Sequence, residues 1–191
     1  MRGLTCSLPG WVVICVLAAL SPARAACVDG DTSRGLQKSF EGLLNSFRAA
    51  YDLSAVRGDG RLDAASRDYA CTMAEAGHFD HTGPDGRQPA DRALAAGFRF
   101  CSLGENLGMG HPDETAVMNG WIESAGHRSN LLDPGHQVYG FGVMQLMGEA
   151  ADDGSQRLAE LGRGVVSGGE LRETGPTGPR YWVLMLGVPG C

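Results

Sequence analysis

The stretch "GWIESAGHRSNLLDPGHQVYGFGVMQLM", residues 120–147, marks a change from helical to extended patterning. Before it, apolar residues recur at three- and four-residue steps, as in 36–51 and 62–73, which is typical of amphipathic helices. Within it, the apolar run Val138–Met147 predicts a buried strand, and Tyr181–Val188 predicts a second one. Helices first and strands late predict an α+β domain.

The bounds of the helices follow from local start and stop signals. Pro89 suits the first turn of a helix, and Gly77 and Gly97 suit the residue after a helix. Four helices are predicted, at 33–50, 63–76, 89–97 and 113–124. Because two strands are too few for a stable sheet, we expect a further strand from Leu53–Val56 or from Phe98–Leu103.

The N-terminus carries the features of a secretory signal peptide. Arg2 supplies a positive charge, Trp11–Leu20 is an apolar run, and Ala23-Arg24-Ala25 fits a small-x-small cleavage pattern. We therefore predict cleavage near Ala25 and a secreted or periplasmic protein. The apolar run is shorter than the roughly 20 residues that cross a bilayer, so no transmembrane span is expected.

The remaining chain is acidic. The formal net charge of the whole sequence is −6, and both charges lost with residues 1–25 are arginines. A polyanion such as a nucleic acid is a poor partner for this charge, so no nucleic-acid binding is expected. Residues 26–35 form an N-terminal segment before the domain, and 148–180, rich in Gly, Pro and acidic residues, is predicted to be a flexible insertion.

Four cysteines follow the signal peptide: Cys27, Cys71, Cys101 and Cys191. Four cysteines in an exported chain indicate two disulfides, for which three connectivities are open. We favour Cys71–Cys101 within the domain and Cys27–Cys191 between its ends. The alternative is buried free thiols. A site with four cysteines on zinc is disfavoured because no two of them have metal-ligand spacing.

The segment "GHFDHTGPDGR", 77–87, raises the question of a metal site. His78 and His81 stand three apart, but the flanking glycines and proline favour a turn over a helix. The helical zinc signature, with histidines four apart and a glutamate beside the first, is absent. A metal bound in this loop needs partners from elsewhere, and Glu105 and His127 are candidates.

Two further polar clusters are candidates for chemistry. In "LGENLGMG", 103–110, Glu105 lies in an apolar context, where a buried carboxylate requires a partner such as a histidine. In 121–132, Ser124 precedes His127 by three residues, but no nucleophile elbow surrounds it. Ser, Gly and Asn residues here favour a helix end with local hydrogen bonds over a serine hydrolase.

Three stretches taken in order closely resemble the bacterial branch of the CAP superfamily, also called the SCP domain. They are "HFDHTGPDG" with "DRALAAGF", "GENLGMG", and "GWIESAGHRSNLLDPGHQVYGFGV". The resemblance covers about 36–188. It implies a three-layer α–β–α sandwich with a central antiparallel sheet, an exported protein and a shallow cleft that gathers histidines and acidic residues.

The resemblance also implies which residues line that cleft. His81 carries over from the segment before Thr-Gly-Pro-Asp-Gly, Glu105 and Asn106 from Gly-Glu-Asn, and His127 from the Gly-His-Arg motif. Many eukaryotic members of the family place a second cleft glutamate three residues after the tryptophan, and here that position is Ser124. His81, His127 and Glu105 remain as a candidate metal set, with zinc the metal expected, although no cofactor is required.

Three hypotheses for function follow. The favoured one is a non-enzymatic binding or interaction module, with a lipid, peptide, cell-wall fragment or protein as its ligand. The alternative is a metal-dependent, peptidase-like hydrolase that uses His81, Glu105 and His127. The third is a cleft whose polar residues only stabilise the fold.

Overall fold

The computed structural model describes residues 27–29, 34–147 and 176–190. Over these ranges the helices are α1 (Arg34–Ala49), α2 (Gly60–Ala76), α3 (Pro89–Ala95), α4 (Glu114–Glu123) and α5 (Ala125–Leu131). The strands are β1 (Cys27–Asp29), β2 (Arg57–Gly58), β3 (Phe100–Met109), β4 (Val138–Met147) and β5 (Pro176–Pro189). None of the helices in these ranges has the length and apolar character needed to cross a membrane.

The strands form one sheet in the order β1-β4-β5-β3. These neighbours are antiparallel, and Glu105 of β3 lies opposite Met185 of β5. The two residues of β2 pair with the start of β4 in parallel. In the described part of the chain, β3 is therefore an edge strand, and Glu105 lies on that edge.

Each face of the sheet is covered by helices. Alternate residues of β5 divide between two buried clusters: Val183 packs with residues of α2, and Leu184 packs with residues of α1 and α4. On the α1 side, Phe40 stacks on Phe141 and meets Trp121 edge-on. This arrangement confirms the predicted α+β class and the three-layer α–β–α sandwich with a central antiparallel sheet.

Two glycines in "VYGFGV" let α2 lie directly on β4. A Cβ atom at Gly140 would lie 2.1 Å from the backbone carbon of Leu62, and one at Gly142 would lie 2.5 Å from the backbone nitrogen of Arg67. Between these glycines, Phe141 faces the opposite cluster. The alternation of glycine and aromatic residues therefore sets both the close helix–sheet contact and the orientation of the strand.

Some predicted bounds are wrong. Helix α4 is followed directly by α5, which was not predicted. Ser124, whose backbone is extended, is both the C-cap residue of α4 and the N-cap residue of α5. Residues 53–56 are not a strand, and the further strand is β3. Strand β5 begins at Pro176, inside the predicted insertion at 148–180. The rest of that insertion, residues 148–175, and the predicted signal peptide at 1–25 lie outside the described residues.

The predicted disulfide pairing is wrong. Cys71 is bonded to Cys27, with 5.7 Å between their Cα atoms, and not to Cys101. The reason is the order of the strands: Cys27 lies on β1 beside α2, whereas Cys101 lies on β3 at the opposite edge. Three strand spacings of about 4.8 Å separate those edges, beyond the reach of one disulfide. Cys101 is itself disulfide-bonded.

Candidate functional site

The loop after α2 places the two histidines in a turn. Helix α2 ends at Gly77, which adopts a left-handed conformation with φ of 58°. Only glycine adopts this conformation at little cost, so the helix stops before both histidines. The Nε2 atom of His78 lies 2.7 Å from the carbonyl oxygen of Thr82, so His78 braces its own loop. The pair is not a helical metal motif.

His81 reaches across to β3 and contacts Glu105. Its Nδ1 atom lies 2.8 Å from Oε1 of Glu105. Since a carboxylate only accepts, Nδ1 carries the proton, and Nε2 is the ring nitrogen left for a ligand. The Glu105 side chain is 2% exposed, whereas the His81 side chain is 50% exposed. The hydrogen bond to Glu105 raises the pKa of His81, against the opposing effect of its partial burial.

Arg92 of α3 balances the buried charge of Glu105. One Nη atom of Arg92 donates to Oε2 of Glu105 at 2.7 Å and to the carbonyl oxygen of His81 at 3.0 Å. The other donates to the carbonyl oxygen of Arg87 at 2.8 Å. The guanidinium lies over the ring of Tyr69, 3.4 Å from its centroid. Arg92 thus fixes both the glutamate and the loop that carries His81.

His127 approaches the same edge of the sheet from α5. The side-chain amide of Asn106 donates to its carbonyl oxygen at 3.1 Å. Asn130 in turn donates to Oδ1 of Asn106 at 2.9 Å and to the carbonyl oxygen of Glu105 at 3.2 Å. Burial lowers the pKa of His127, and the charge of His81 lowers it further. The main chain at His127 is thus tied to the strand that carries Glu105.

Glycine in "LGENLG" makes room for this approach of the helices. A Cβ atom at Gly104 would lie 3.0 Å from Cγ of Asn130 and 3.3 Å from Cε1 of His136. A Cβ atom at Gly108 would lie 2.5 Å from a methyl group of Val117. Larger residues at these positions would push α4 and α5 away from β3, and His127 would move with α5.

The predicted zinc ligands do not form a compact set. Among the described residues, the ligand atoms of Cys27, Cys71 and Glu75 lie within 4.8 Å of one another, but the trio predicted from the sequence is not such a group. The sulfurs of Cys27 and Cys71 are joined, so neither is a thiolate ligand. In the predicted trio, Glu105 is already engaged by a guanidinium. Zinc binding by the three predicted residues stays a prediction.

Ser124 is part of the local helix geometry. It is the N-cap residue of α5 without a side-chain capping bond, and its carbonyl oxygen accepts from the backbone N–H of Arg128 at 2.8 Å. No hydrogen bond joins it to His127 in the described part of the chain. The arrangement thus lacks the nucleophile–base contact that serine catalysis requires.

Sequence reasoning missed two residues of the site, Arg92 and Asn130. The signal for Arg92 was available, because a carboxylate buried as deeply as Glu105 requires a cation as well as a hydrogen bond. The sequence alone, however, does not show which of its arginines is the partner of Glu105. Asn130 had no comparable signal, since asparagine also ends helices and satisfies loops.

The sequence is similar to a known family over most of the described domain. The sequence model of the cysteine-rich secretory protein family, abbreviated CAP, matches residues 42–148. The uncharacterized protein YkwD of Bacillus subtilis is 28% identical over 133 residues, which are 67% of this chain and 52% of that protein. The uncharacterized membrane protein YlbC of the same organism is 27% identical over 107 residues, which are 56% of this chain and 31% of that protein. The chain spans about half or less of these relatives.

Solved structures share the fold. An extracellular protein containing an SCP domain from Bacillus anthracis superimposes with a TM-score of 0.60 at 20% identity, over 81% of this chain and 41% of its own. An outer surface protein from Borrelia burgdorferi superimposes with a TM-score of 0.61 at 17% identity, over 87% of this chain and 99% of its own. At these identities, the similarity concerns the arrangement of helices and strands.

Proposed function

Because the chain belongs to the cysteine-rich secretory protein family, we propose that it is an exported, non-enzymatic binding module. Its contact surface is the edge of the sheet formed by β3, which His81 contacts through Glu105 and the main chain of His127 contacts through Asn106. The half-exposed His81 supplies its Nε2 nitrogen, Glu105 and Arg92 hold that ring in place, and Asn106 anchors the segment that carries His127. The ligand class is a small molecule, a peptide or a cell-wall fragment.

The way Glu105 is engaged carries this proposal. One of its oxygens accepts from His81 and the other from Arg92, while its side chain is 2% exposed. A general base needs a lone pair within reach of the proton it removes. Glu105 lacks that access, but it suits a residue that orients a histidine. The half-exposed His81 is then a preorganised contact for a ligand.

A zinc ion held by two histidines, and not by Glu105, is compatible with this proposal. A histidine that binds a metal through one nitrogen commonly donates its other N–H to a carboxylate, as His81 does to Glu105. His81 and His127 would then be the ligands, and Glu105 would orient His81. Addition of zinc to the apoprotein, followed by metal analysis after dialysis, tests this role in wild type and in His81→Ala.

Three observations support a location outside the cytoplasm. The first 25 residues have the pattern of a secretory signal peptide. The bond between Cys27 and Cys71 suits an oxidising compartment. The structurally similar proteins of Bacillus anthracis and Borrelia burgdorferi are described as extracellular and outer surface proteins. Separation into a periplasmic and a released pool would locate the protein.

The main test compares two histidines of the same loop. The full chain, His81→Ala and His78→Ala are purified from the native compartment, and small molecules are extracted from each and identified by mass spectrometry. We expect a compound that copurifies with wild type and His78→Ala but is lost from His81→Ala. Identical extracts from all three proteins would refute the role of His81.

Catalysis is tested by a separate variant. Wild type is expected not to turn over peptide or ester substrates, because Glu105 is engaged by two donors. Hydrolysis by wild type that is lost in Glu105→Gln would contradict the proposal and support the hydrolase alternative. Hydrolysis that survives in Glu105→Gln would exclude Glu105 from any such reaction.

A further inference from the structure

A cavity lies beside Arg92, between α2 and α3. Its volume is about 240 Å³, and Tyr69 and Arg92 contribute to its wall. Neither His81 nor His127 lines it. The α2 residues that line it recur at four-residue steps from position 64 to position 72, so they occupy one face of the helix. This cavity, named here the α2–α3 cavity, is separate from the site around His81.

The sides of the α2–α3 cavity are formed by small apolar groups. Ala64 and Ala65 of α2 face Ala95 of α3 and the following residue, Ala96. Four methyl groups leave a slot between the two helices that larger side chains would fill. A slot of this volume and lining suits a short alkyl chain and is too small for a large ring system.

The polar lining of the cavity is mixed: Asp68, Thr72 and Asp85 supply acceptors, and Arg87 and Arg92 supply donors, among them the buried Nε of Arg92, which has no hydrogen-bond partner in the described part of the chain. The acceptors of α2 lie at Asp68 and Thr72. Asp68 is exposed, and among the described residues its carboxylate has no hydrogen bond or ion pair. The Thr72 hydroxyl donates to the carbonyl oxygen of Asp68 at 2.9 Å, so its oxygen remains free to accept. Asp85 pairs with Arg87 at 2.5 Å. An ammonium group has three donors and no acceptor, and it complements these oxygens.

The charges of the lining favour a cation. Arg87 is neutralised by Asp85, and Arg92 is neutralised by Glu105. Asp68 is therefore the unbalanced charge, in a chain whose formal net charge is −6. A negative protein field raises the local concentration of cations near such a group.

We propose that the α2–α3 cavity binds an alkylammonium group, with its alkyl chain between the alanines and its nitrogen at Asp68 and Thr72. Two sources share this chemistry, the side chain of a lysine in a peptide and a free aliphatic amine. The site goes beyond the proposed function, since it does not use the ring of His81.

The experiment uses two probes on the full, ¹⁵N-labelled chain. Nα-acetyl-lysine amide represents the peptide source, n-butylammonium represents the free amine, and n-butanol is the neutral control. We expect saturable shifts of backbone amide signals from 64–72 and 92–96 with at least one ammonium probe and much weaker shifts with n-butanol. The probe that binds more tightly identifies the source.

Matched variants make the test specific. Asp68→Asn removes an exposed helical carboxylate of the cavity, and Glu123→Gln removes an exposed carboxylate of another helix. We expect Asp68→Asn to weaken binding about fivefold, the upper range for one exposed ion pair, and Glu123→Gln to leave it unchanged. Ala95→Leu, which fills the slot, is expected to abolish binding.

The outcomes separate this proposal from the role of His81. His81→Ala is expected to bind the ammonium probes as wild type does, so a failure of the proposed function leaves this inference standing. Absence of saturable shifts in 64–72 and 92–96 would overturn it. Equal binding by wild type, Asp68→Asn and Ala95→Leu would also overturn it, because the observed shifts would then arise elsewhere.

Discussion

Among the described residues, each face of the sheet buries one arginine, and the two arginines have different roles. On the α2 face, Arg92 pairs with Glu105, which in turn holds the half-exposed His81. On the α1 face, Arg48 is fully buried and donates to the carbonyl oxygens of Ser54, Leu131, Asp133 and His136. Burial lowers the pKa of Arg48, and the charge of Asp133 offsets only part of this effect.

The difference distinguishes a functional buried charge from a structural one. Arg48 joins α1 to the turn between α5 and β4, and all of its acceptors are main-chain carbonyl oxygens. Arg92 and Glu105 end in a histidine that solvent and ligands can reach. A buried arginine therefore indicates a site only when the network it belongs to extends to an exposed, titratable group.

Loss of the Arg48 network is expected to have the largest effect. Arg48→Met keeps most of the side-chain volume but removes every donor to the buried carbonyl oxygens of Leu131 and His136. We expect the free energy of unfolding to fall by about 3–5 kcal/mol. Urea denaturation measures it. Lys38→Met, at an exposed position of the same helix, is the control and should change stability by less than about 0.5 kcal/mol.

The α2 face also has a covalent connection to β1. Replacing Cys27 and Cys71 by alanine is expected to lower the free energy of unfolding by about 2–4 kcal/mol, because the disulfide closes a loop with a sequence separation of 44. Peptide mapping without reduction should recover Cys27 with Cys71 and Cys101 with Cys191. A peptide that joins Cys71 to Cys101 would contradict the structure.

Removal of Arg92 is expected to have a smaller effect than removal of Arg48. Arg92→Met leaves Glu105 with His81, which can take up a proton, so we expect a loss of about 1–3 kcal/mol. The double variant Arg92→Met, Glu105→Leu should recover part of this loss, because no unbalanced buried charge remains. Chemical denaturation of both variants checks the prediction. Equal instability of the single and double variants would show that packing, not charge, accounts for the loss.

The smallest expected effect is on the pH dependence of stability. The pKa of His81 is higher in the folded protein than in the unfolded chain. The contribution of His81 to the free energy of unfolding is therefore complete below its pKa in the unfolded chain, and it is lost as the pH rises through its pKa in the folded protein. The pKa of His127 is lowered, so its contribution is present at higher pH and is lost as the pH falls through its folded value.

Two histidine variants test these opposite signs. His81→Gln is expected to cost more stability near about pH 5 than near about pH 8, and His127→Gln should show the reverse. Denaturation at both pH values, with histidine titration by NMR, measures this. If both variants change with pH in the same direction, the assignment of Glu105 as the partner of His81 is wrong.

The sequence predicted the helices and strands better than it predicted which side chains contact one another. The bounds of α1 and the end of α2 follow from periodicity and Gly77, and the start of β4 follows from the apolar run that begins at Val138. Helix α5 was missed because seven residues carry little periodicity and Ser124 also suits a helix end. The partnership of Glu105 with a histidine was predicted, but its bond to Arg92 was not.

The sequence by itself determined where the chain bends and which residues avoid water, because backbone conformation and burial depend on local residue types. It therefore placed His81 in a loop and Glu105 in an apolar, buried context, whereas the predicted strand ended at Leu103, short of Glu105. Only the tertiary structure decided that Cys71 meets Cys27 and that Arg92 neutralises Glu105. Those contacts depend on the order of the strands and on which helix packs against each strand. A periodic pattern indicates which face of an element a residue occupies, but it does not indicate which residue lies across from it.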